Sequence, residues 1–211
     1  MASMETWRII FLSFRISAVA TALALGASIP FCLFLLKDFE EKRNLVFLLQ
    51  VFLFVPTVTL GVFLYTLFSR AGPLGFLGLL YTPKAMVIGQ SILVFPLVSI
   101  FLLNGLGGMS GRMRDTALSL GAGRLQYNIL LFREAKFSLI SAFIVGLSRA
   151  VGETGLAMIV GGNIEGSTRV VTTAITLHTM RGDFEIALSL GLILVAIGIL
   201  LCAGFILLEK K

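Results

Sequence analysis

Long apolar stretches dominate the hydrophobic pattern of the chain. Five of them cover residues 15–36, 45–68, 85–106, 137–160 and 184–208. Each is close to the roughly 20 residues that a helix needs to cross the hydrocarbon core of a bilayer. Because backbone amides in lipid must find partners within their own segment, we expect the stretches to be helices. The pattern therefore predicts an all-α integral membrane protein with five transmembrane helices, forming a single domain over residues 1–211.

Composition supports a membrane protein, and the distribution of charge predicts its orientation. Hydrophobic residues make up 57% of the chain and charged residues only 13%, whereas soluble domains have about 25% charged residues. Ten Lys and Arg residues lie after the first and third stretches and at the C-terminus, against six on the opposite side. Basic loops favour the cytoplasm. We therefore expect the N-terminus outside and the C-terminus inside, and we attribute the net charge of +6 to topology rather than to nucleic acid.

Motifs for catalysis, nucleotide binding and metal binding are missing from the sequence. The chain has no G-x-x-x-x-G-K-[ST], H-E-x-x-H or G-x-S-x-G run and no paired Cys motif. Its two cysteines, Cys32 and Cys202, lie inside apolar stretches and are interpreted as packing residues. We therefore expect a chain that is not an enzyme and that binds no cofactor or metal itself.

The loop of residues 107–136 between the third and fourth stretches is amphipathic. A short helix is predicted over residues 115–120, with Gly121 after it, and a second one over residues 124–134. The second helix has Leu125, Ile129 and Phe132 on one face. An apolar face outside the membrane meets either the membrane surface or a partner protein, and periodicity alone favours neither.

Two charged residues interrupt the fourth stretch. Arg149 and Glu153 are four residues apart and therefore share one face of a helix. Charges within the hydrocarbon are costly and usually face a bundle interior or a water-filled path. The pair is either a mutually neutralising structural pair or part of a transport path, and we favour the path.

The segment of residues 161–179, here called the Gly/Thr segment, is rich in glycines and hydroxyl groups. A tetrahedral oxyanion offers only acceptors, so exposed amides, hydroxyls and a cation are what its recognition needs. The alternative is an ordinary Gly/Thr-rich loop. The candidate residues for a path or gate, in addition to the charged pair, are Asn163, Thr168, Arg169, Thr172 and Thr173. Arg169 is expected to attract the anion, and Thr172 and Thr173 to line the path.

The loop of residues 107–136 resembles the EAA loop of permease subunits of binding-protein-dependent ABC importers. The family pattern, E-A-A-x-x-x-G followed by Leu-Pro, is represented by Asp115-Thr116-Ala117-Leu118-Ser119-Leu120-Gly121 and Phe132-Arg133. In that family the loop is the cytoplasmic coupling helix that docks on the ATPase. The resemblance implies a coupling role for Asp115, Ala117, Gly121, Arg124, Phe132 and Glu134.

The resemblance extends over most of the chain. Gly152-Glu153-x-Gly155 followed by Gly162-Asn163 is similar to molybdate, sulfate and tungstate permeases. Residues 69–75, 81–88, 160–169 and 172–175 are similar to the tungstate branch in particular.

This resemblance implies a five-helix type I ABC importer permease in a prokaryotic cell (inner) membrane. It also implies a second copy of the chain, two ATPase subunits that bind ATP and Mg, and an extracytoplasmic oxyanion-binding protein. The expected function is import of tungstate by alternating access, in contact with membrane lipid and without nucleic acid. The alternatives are a molybdate or sulfate permease of the same type and, more distantly, a membrane scaffold that transports nothing.

Overall fold

The computed structural model describes residues 2–37, 42–121, 123, 126–127, 129–130, 133 and 135–209, without the side chains of 2–4, 108–115, 118 and 204–209. Within the described chain, eight α-helices have defined bounds, a short 3-10 turn lies at Gly75–Leu77, and no residue is in a strand; residues 126–127, 129–130 and 133 are also helical. The helices are α1 Ala2–Lys37, α2 Arg43–Leu53, α3 Thr57–Phe68, α4 Pro83–Ser119, α5 Lys136–Val151, α6 Gly155–Gly161, α7 Val171–Arg181 and α8 Phe184–Glu209. The prediction of an all-α membrane protein is confirmed.

Three of these helices, α1, α4 and α8, are each long and apolar enough to cross a bilayer. The pairs α2–α3 and α5–α6 are bent by 95° and 65° and give five crossings if each pair counts as one. The second and fourth apolar stretches therefore differ from the continuous helices that hydropathy predicted. Pro56 lies at the first bend, where it has no amide hydrogen to donate to a helix. Pro30 and Pro96 remain inside α1 and α4.

The helix α4 continues well beyond its apolar part. The third stretch ends at residue 106 in the sequence pattern, yet the helix runs to Ser119. Its end is followed by Gly121, whose φ of +77° is a left-handed conformation that glycine adopts without strain. The predicted short helix at residues 115–120 is thus the last part of α4 rather than a separate element.

The core lies where α1, α4 and α5 pack together. Its side chains are small and aliphatic, and the small residues Ala142, Gly146 and Ala150 of α5 are all buried. A Cβ atom on Gly146 would lie 2.6 Å from Val98 Cγ2, so the glycine permits close approach of α5 and α4. Hydroxyl groups add a polar contact between α1 and α4, since Ser28 Oγ and Ser99 Oγ are 2.8 Å apart.

The remaining helices surround this core. The pair α3 and α6 share an apolar cluster that includes Leu64, Phe68 and Leu156, and α7 packs on α8. Most of the described apolar side chains of α8 are exposed in the single chain. A bilayer is the solvent that accepts such a surface.

Candidate functional site

The candidate site is built around a helix break at residues 152–154, between α5 and α6. Glu153 is 3% exposed and accepts a hydrogen bond from Arg149 Nη1 at 2.8 Å through Oε2. Its other oxygen, Oε1, accepts the backbone N–H of Leu156 at 3.1 Å. Glu153 therefore joins the two helices, because its carboxylate neutralises a cation of α5 and satisfies a free amide in the first turn of α6.

Buried polar side chains from other helices donate hydrogen bonds to backbone carbonyls at the break. Gln90 of α4 is 2% exposed, and its Nε2 donates to the carbonyl of Ala150 at 3.2 Å. Ser17 Oγ of α1 donates in turn to Gln90 Oε1 at 3.3 Å. The Thr172 hydroxyl of α7 donates to the carbonyl of Glu153 at 2.8 Å. Helices α1, α4 and α7 thus hold the break in one geometry.

Gln90 is a residue that the sequence analysis missed. It is one amide side chain inside the apolar third stretch, and a polar group at that depth must find a partner. The position of this amide in an apolar stretch could therefore have identified Gln90 as a candidate residue. Its partner, the Ala150 carbonyl, could not be predicted, because the hydropathy pattern does not show the helix break beside that carbonyl.

Arg149 is half-buried, and part of its guanidinium is open. Its side chain is 39% exposed, and Ser148 and Gly152 beside it are exposed as well. Within the part of the chain that the structure describes, its hydrogen bond goes to Glu153. A guanidinium has five N–H donors, so most of them remain available at this surface.

Besides Thr172, the other two predicted threonines of the Gly/Thr segment also use their hydroxyl groups inside the chain. Thr168 is fully buried, donates to the Gly161 carbonyl at 2.5 Å and accepts the N–H of Ile164 at 3.0 Å. Thr173, also fully buried, accepts the N–H of Val170 at 3.0 Å and caps α7. Their hydroxyls hold the loop and the start of α7 in place.

The turn after α6 contains two residues other than glycine in left-handed backbone conformation. Asn163 has a φ of +49° and Tyr81 a φ of +63°. The Tyr81 N–H donates to the Val160 carbonyl at 2.9 Å, and its ring packs against Gly162. A side-chain hydrogen bond with Tyr65 raises the pKa of Tyr81 above its ordinary value. Asn163 Oδ1 is buried and has no partner among the described residues.

Arg169 lies in another part of the Gly/Thr segment, close to the first turns of α1. Its Nη1 is 3.2 Å from Glu165 Oε2 and 3.7 Å from Glu5 Oε1. Arg169 lines a cavity of about 460 Å³ together with these two carboxylates and Arg8. The sequence analysis missed Arg8 because nothing in the sequence places it near Arg169.

The predicted path residues therefore fall into two groups. Arg149, Glu153 and Thr172 meet at the helix break. The other four, Asn163, Thr168, Arg169 and Thr173, lie in or beside the turn and loop that follow α6. Within the described chain no hydrogen bond joins Arg169 to the charged pair at the break.

The predicted coupling residues are described only in part. Ala117 is buried near the end of α4, Asp115 lies in the same helix, and Gly121 follows it. Arg124, Phe132 and Glu134 lie outside the described residues. Among the residues that were described, no group of three His, Cys, Asp or Glu side chains could hold a metal ion.

Comparison with known proteins identifies the family. No protein-family model matches the chain. The tungstate uptake system permease protein TupB of Peptoclostridium acidaminophilum is 40% identical over 208 residues, which cover 98% of this chain and 91% of that protein. A probable anion ABC transporter permease protein of Haloferax volcanii is 34% identical, with 88% of this chain and 82% of that protein covered.

A solved structure agrees with this similarity at the level of the fold. A chain of the MetNI methionine ABC transporter, solved in inward-facing conformations, superposes with a TM-score of 0.82 at 16% identity, covering 99% of this chain and 96% of that one. The fold is that of a type I ABC importer permease. The chain therefore belongs to the family of membrane-spanning permease subunits of anion ABC transporters that includes the tungstate uptake permeases.

Proposed function

We propose that the chain is the permease of an ATP-driven importer of tungstate. The observation that carries the proposal is the 40% identity to a tungstate uptake permease along 98% of the chain. At the helix break the structure offers a partly open guanidinium, which is a donor group suited to an oxyanion.

The proposed assembly is a pore made by two copies of the chain, with two ATPase subunits at the cytoplasmic end of α4. This orientation follows from the basic loops and is part of the proposal. ATP and Mg are bound by the ATPases. An extracytoplasmic oxyanion-binding protein delivers the anion to the opposite face. The helical extension of α4 to Ser119 supports the proposal, because it carries residues 115–119 beyond the apolar part of the helix.

The proposed cycle is alternating access. ATP-driven closure of the ATPases moves the coupling segment that includes Asp115, Ala117 and Gly121, and the pore opens outward to receive the anion. Hydrolysis returns it to the inward-open state and releases the anion. Arg124, Phe132 and Glu134 belong to the same proposed coupling segment.

The path residues take different parts in this proposal. Arg169 attracts the anion from its place beside the cavity, where its two carboxylate partners are substantially exposed. Thr168, Thr172 and Thr173 shape the wall of the path, because their hydroxyls are bonded within the chain. Asn163 holds the turn after α6 in its left-handed conformation.

Tungstate uptake by cells tests the proposal. Cells that lack the gene should lose ATP-dependent uptake of tungstate, and the wild-type gene should restore it. A gene for a variant that lacks residues 115–134 should not restore uptake. The ATPase should not co-purify with that variant. Competition by molybdate or sulfate at equal concentration would identify the sister substrate. Uptake that is unaffected by loss of the gene would favour the scaffold alternative.

A further inference from the structure

The charged pair at the helix break divides into two unlike groups. Glu153 is almost fully buried and both of its carboxylate oxygens have donors, from Arg149 and from the Leu156 amide. An incoming anion cannot use it, since a carboxylate offers an oxyanion only repulsion. Arg149 is the reverse, a partly exposed cation with donors to spare.

The surface around Arg149 needs a polar environment. A guanidinium within an apolar segment is costly in lipid, and such groups usually face a water-filled cavity. Ser148 and Gly152 extend the exposed surface on either side of it. Gly152 also leaves its backbone uncovered, which suits close approach of a small ligand.

The carboxylate limits how strongly this cation can attract an anion. The Nη1–Oε2 distance of 2.8 Å makes a close ion pair, so the pair is nearly neutral at a distance. Its remaining N–H groups still donate hydrogen bonds at short range. Such a group contacts an oxyanion without holding it, which is what a transport path requires.

We propose that Arg149 is the group that contacts the permeating tetrahedral oxyanion at the helix break, and that Glu153 is a positioning residue that orients the guanidinium and weakens its hold on the anion. The proposal deepens the proposed function and rests on it. Gln90 contributes by fixing the break through the Ala150 carbonyl.

Replacing the cation tests the contact. The variant R149C is made in a C202S background, because Cys202 is exposed whereas Cys32 is buried. Tungstate uptake by the reconstituted complex should fall about tenfold or more, as expected for loss of charge-assisted hydrogen bonds. Modification with the cationic reagent aminoethyl methanethiosulfonate should restore part of the uptake, and the anionic sulfonatoethyl reagent should not. Tungstate should slow both reactions.

The neighbouring variant L147C is the matched control, since Leu147 is buried on the same helix and should not react. Failure of R149C to react, or uptake by it with an unchanged KM, would overturn the proposal. If R149C does not co-purify with the ATPase, the KM for tungstate is measured for the R149K variant instead. A raised KM for tungstate in R149K supports the contact, and a wild-type KM and anion preference shows a structural ion pair.

The E153Q variant tests the positioning role through the split between KM and kcat. The amide oxygen of Gln can still accept the Leu156 N–H, but Arg149 loses its counter-charge. We expect the anion to be held more tightly, so both KM and kcat should fall by several-fold. A fall in kcat with an unchanged KM would indicate only structural damage and would contradict this role.

Failure of this inference is distinguishable from failure of the proposed function. A wild-type complex that imports no oxyanion contradicts the proposed function. A wild-type complex that imports tungstate while the Arg149 variants keep its KM contradicts the inference alone.

Discussion

Thr168 closes the turn that follows α6. Its fully buried hydroxyl bridges the Gly161 carbonyl at the end of the helix and the N–H of Ile164 in the loop. Both backbone groups would otherwise lack these partners, and an unpaired buried polar group costs about 1–3 kcal/mol. At the scale of one residue, this hydroxyl fixes the start of the segment that leads to Arg169.

We expect T168V to lower the free energy of unfolding by about 1–3 kcal/mol, because Val keeps the shape and removes both hydrogen bonds. T168S keeps the hydroxyl and is the matched control. Thermal unfolding of the purified protein in detergent measures the difference. Equal stability of the two variants would show that the hydroxyl does not support the turn.

Alanine variants of two glycines near this turn distinguish the cost of backbone strain from the cost of side-chain crowding. Gly162 and Gly166 have φ values of +72° and +73°, so alanine at either position costs about 1–2 kcal/mol in strain. A Cβ atom on Gly162 would also lie 2.6 Å from Tyr81 Cδ1, whereas nothing lies within 4 Å of one on Gly166. G162A should therefore unfold at a clearly lower temperature than G166A. Similar unfolding temperatures would mean that the Tyr81 ring moves aside freely.

At the scale of elements, the break between α5 and α6 determines where the charged pair lies. The spacing of four residues predicted that Arg149 and Glu153 would be neighbours, and their 2.8 Å contact confirms it. Hydropathy did not predict the break, because residues 152–154 lie within a continuous apolar stretch. The break depends on partners far away in sequence, namely Gln90 and Thr172.

The hydrogen bonds of the Gln90 amide give a prediction at the scale of elements. Q90L removes the side-chain donor to the Ala150 carbonyl and the acceptor of the buried Ser17 hydroxyl, so we expect a loss of about 1–3 kcal/mol in stability. Q50L makes the same chemical change at an exposed position of α2 and should have little effect. Unfolding of both variants in detergent gives the comparison. A Q90L protein as stable as Q50L would show that the Gln90 amide does not stabilise the helix break.

The same limit applies to the threonines of the Gly/Thr segment. A sequence shows how many donors a segment contains but not which of them the backbone uses. Thr168 and Thr173 belong to the Gly/Thr segment that suggested an oxyanion site, yet both bond to nearby main-chain groups. Arg8 joins Arg169 at one cavity only through the fold, as the two are far apart in sequence.

At the scale of the whole molecule, apolar stretches predicted the membrane class, and the family resemblance predicted the permease fold. Both are confirmed. The identity of the substrate does not follow from the fold. Donors at the helix break suit any tetrahedral oxyanion, so tungstate is proposed from similarity to a tungstate uptake permease rather than from the geometry.

The most direct test of the central claim is transport by a reconstituted complex. The permease, its ATPase and its binding protein are placed in lipid vesicles, and uptake of labelled tungstate is measured with and without ATP. We predict uptake that requires ATP and the binding protein and that falls at least about tenfold in the R149C variant. A correctly assembled wild-type complex that hydrolyses ATP but moves no tungstate, molybdate or sulfate would contradict the account.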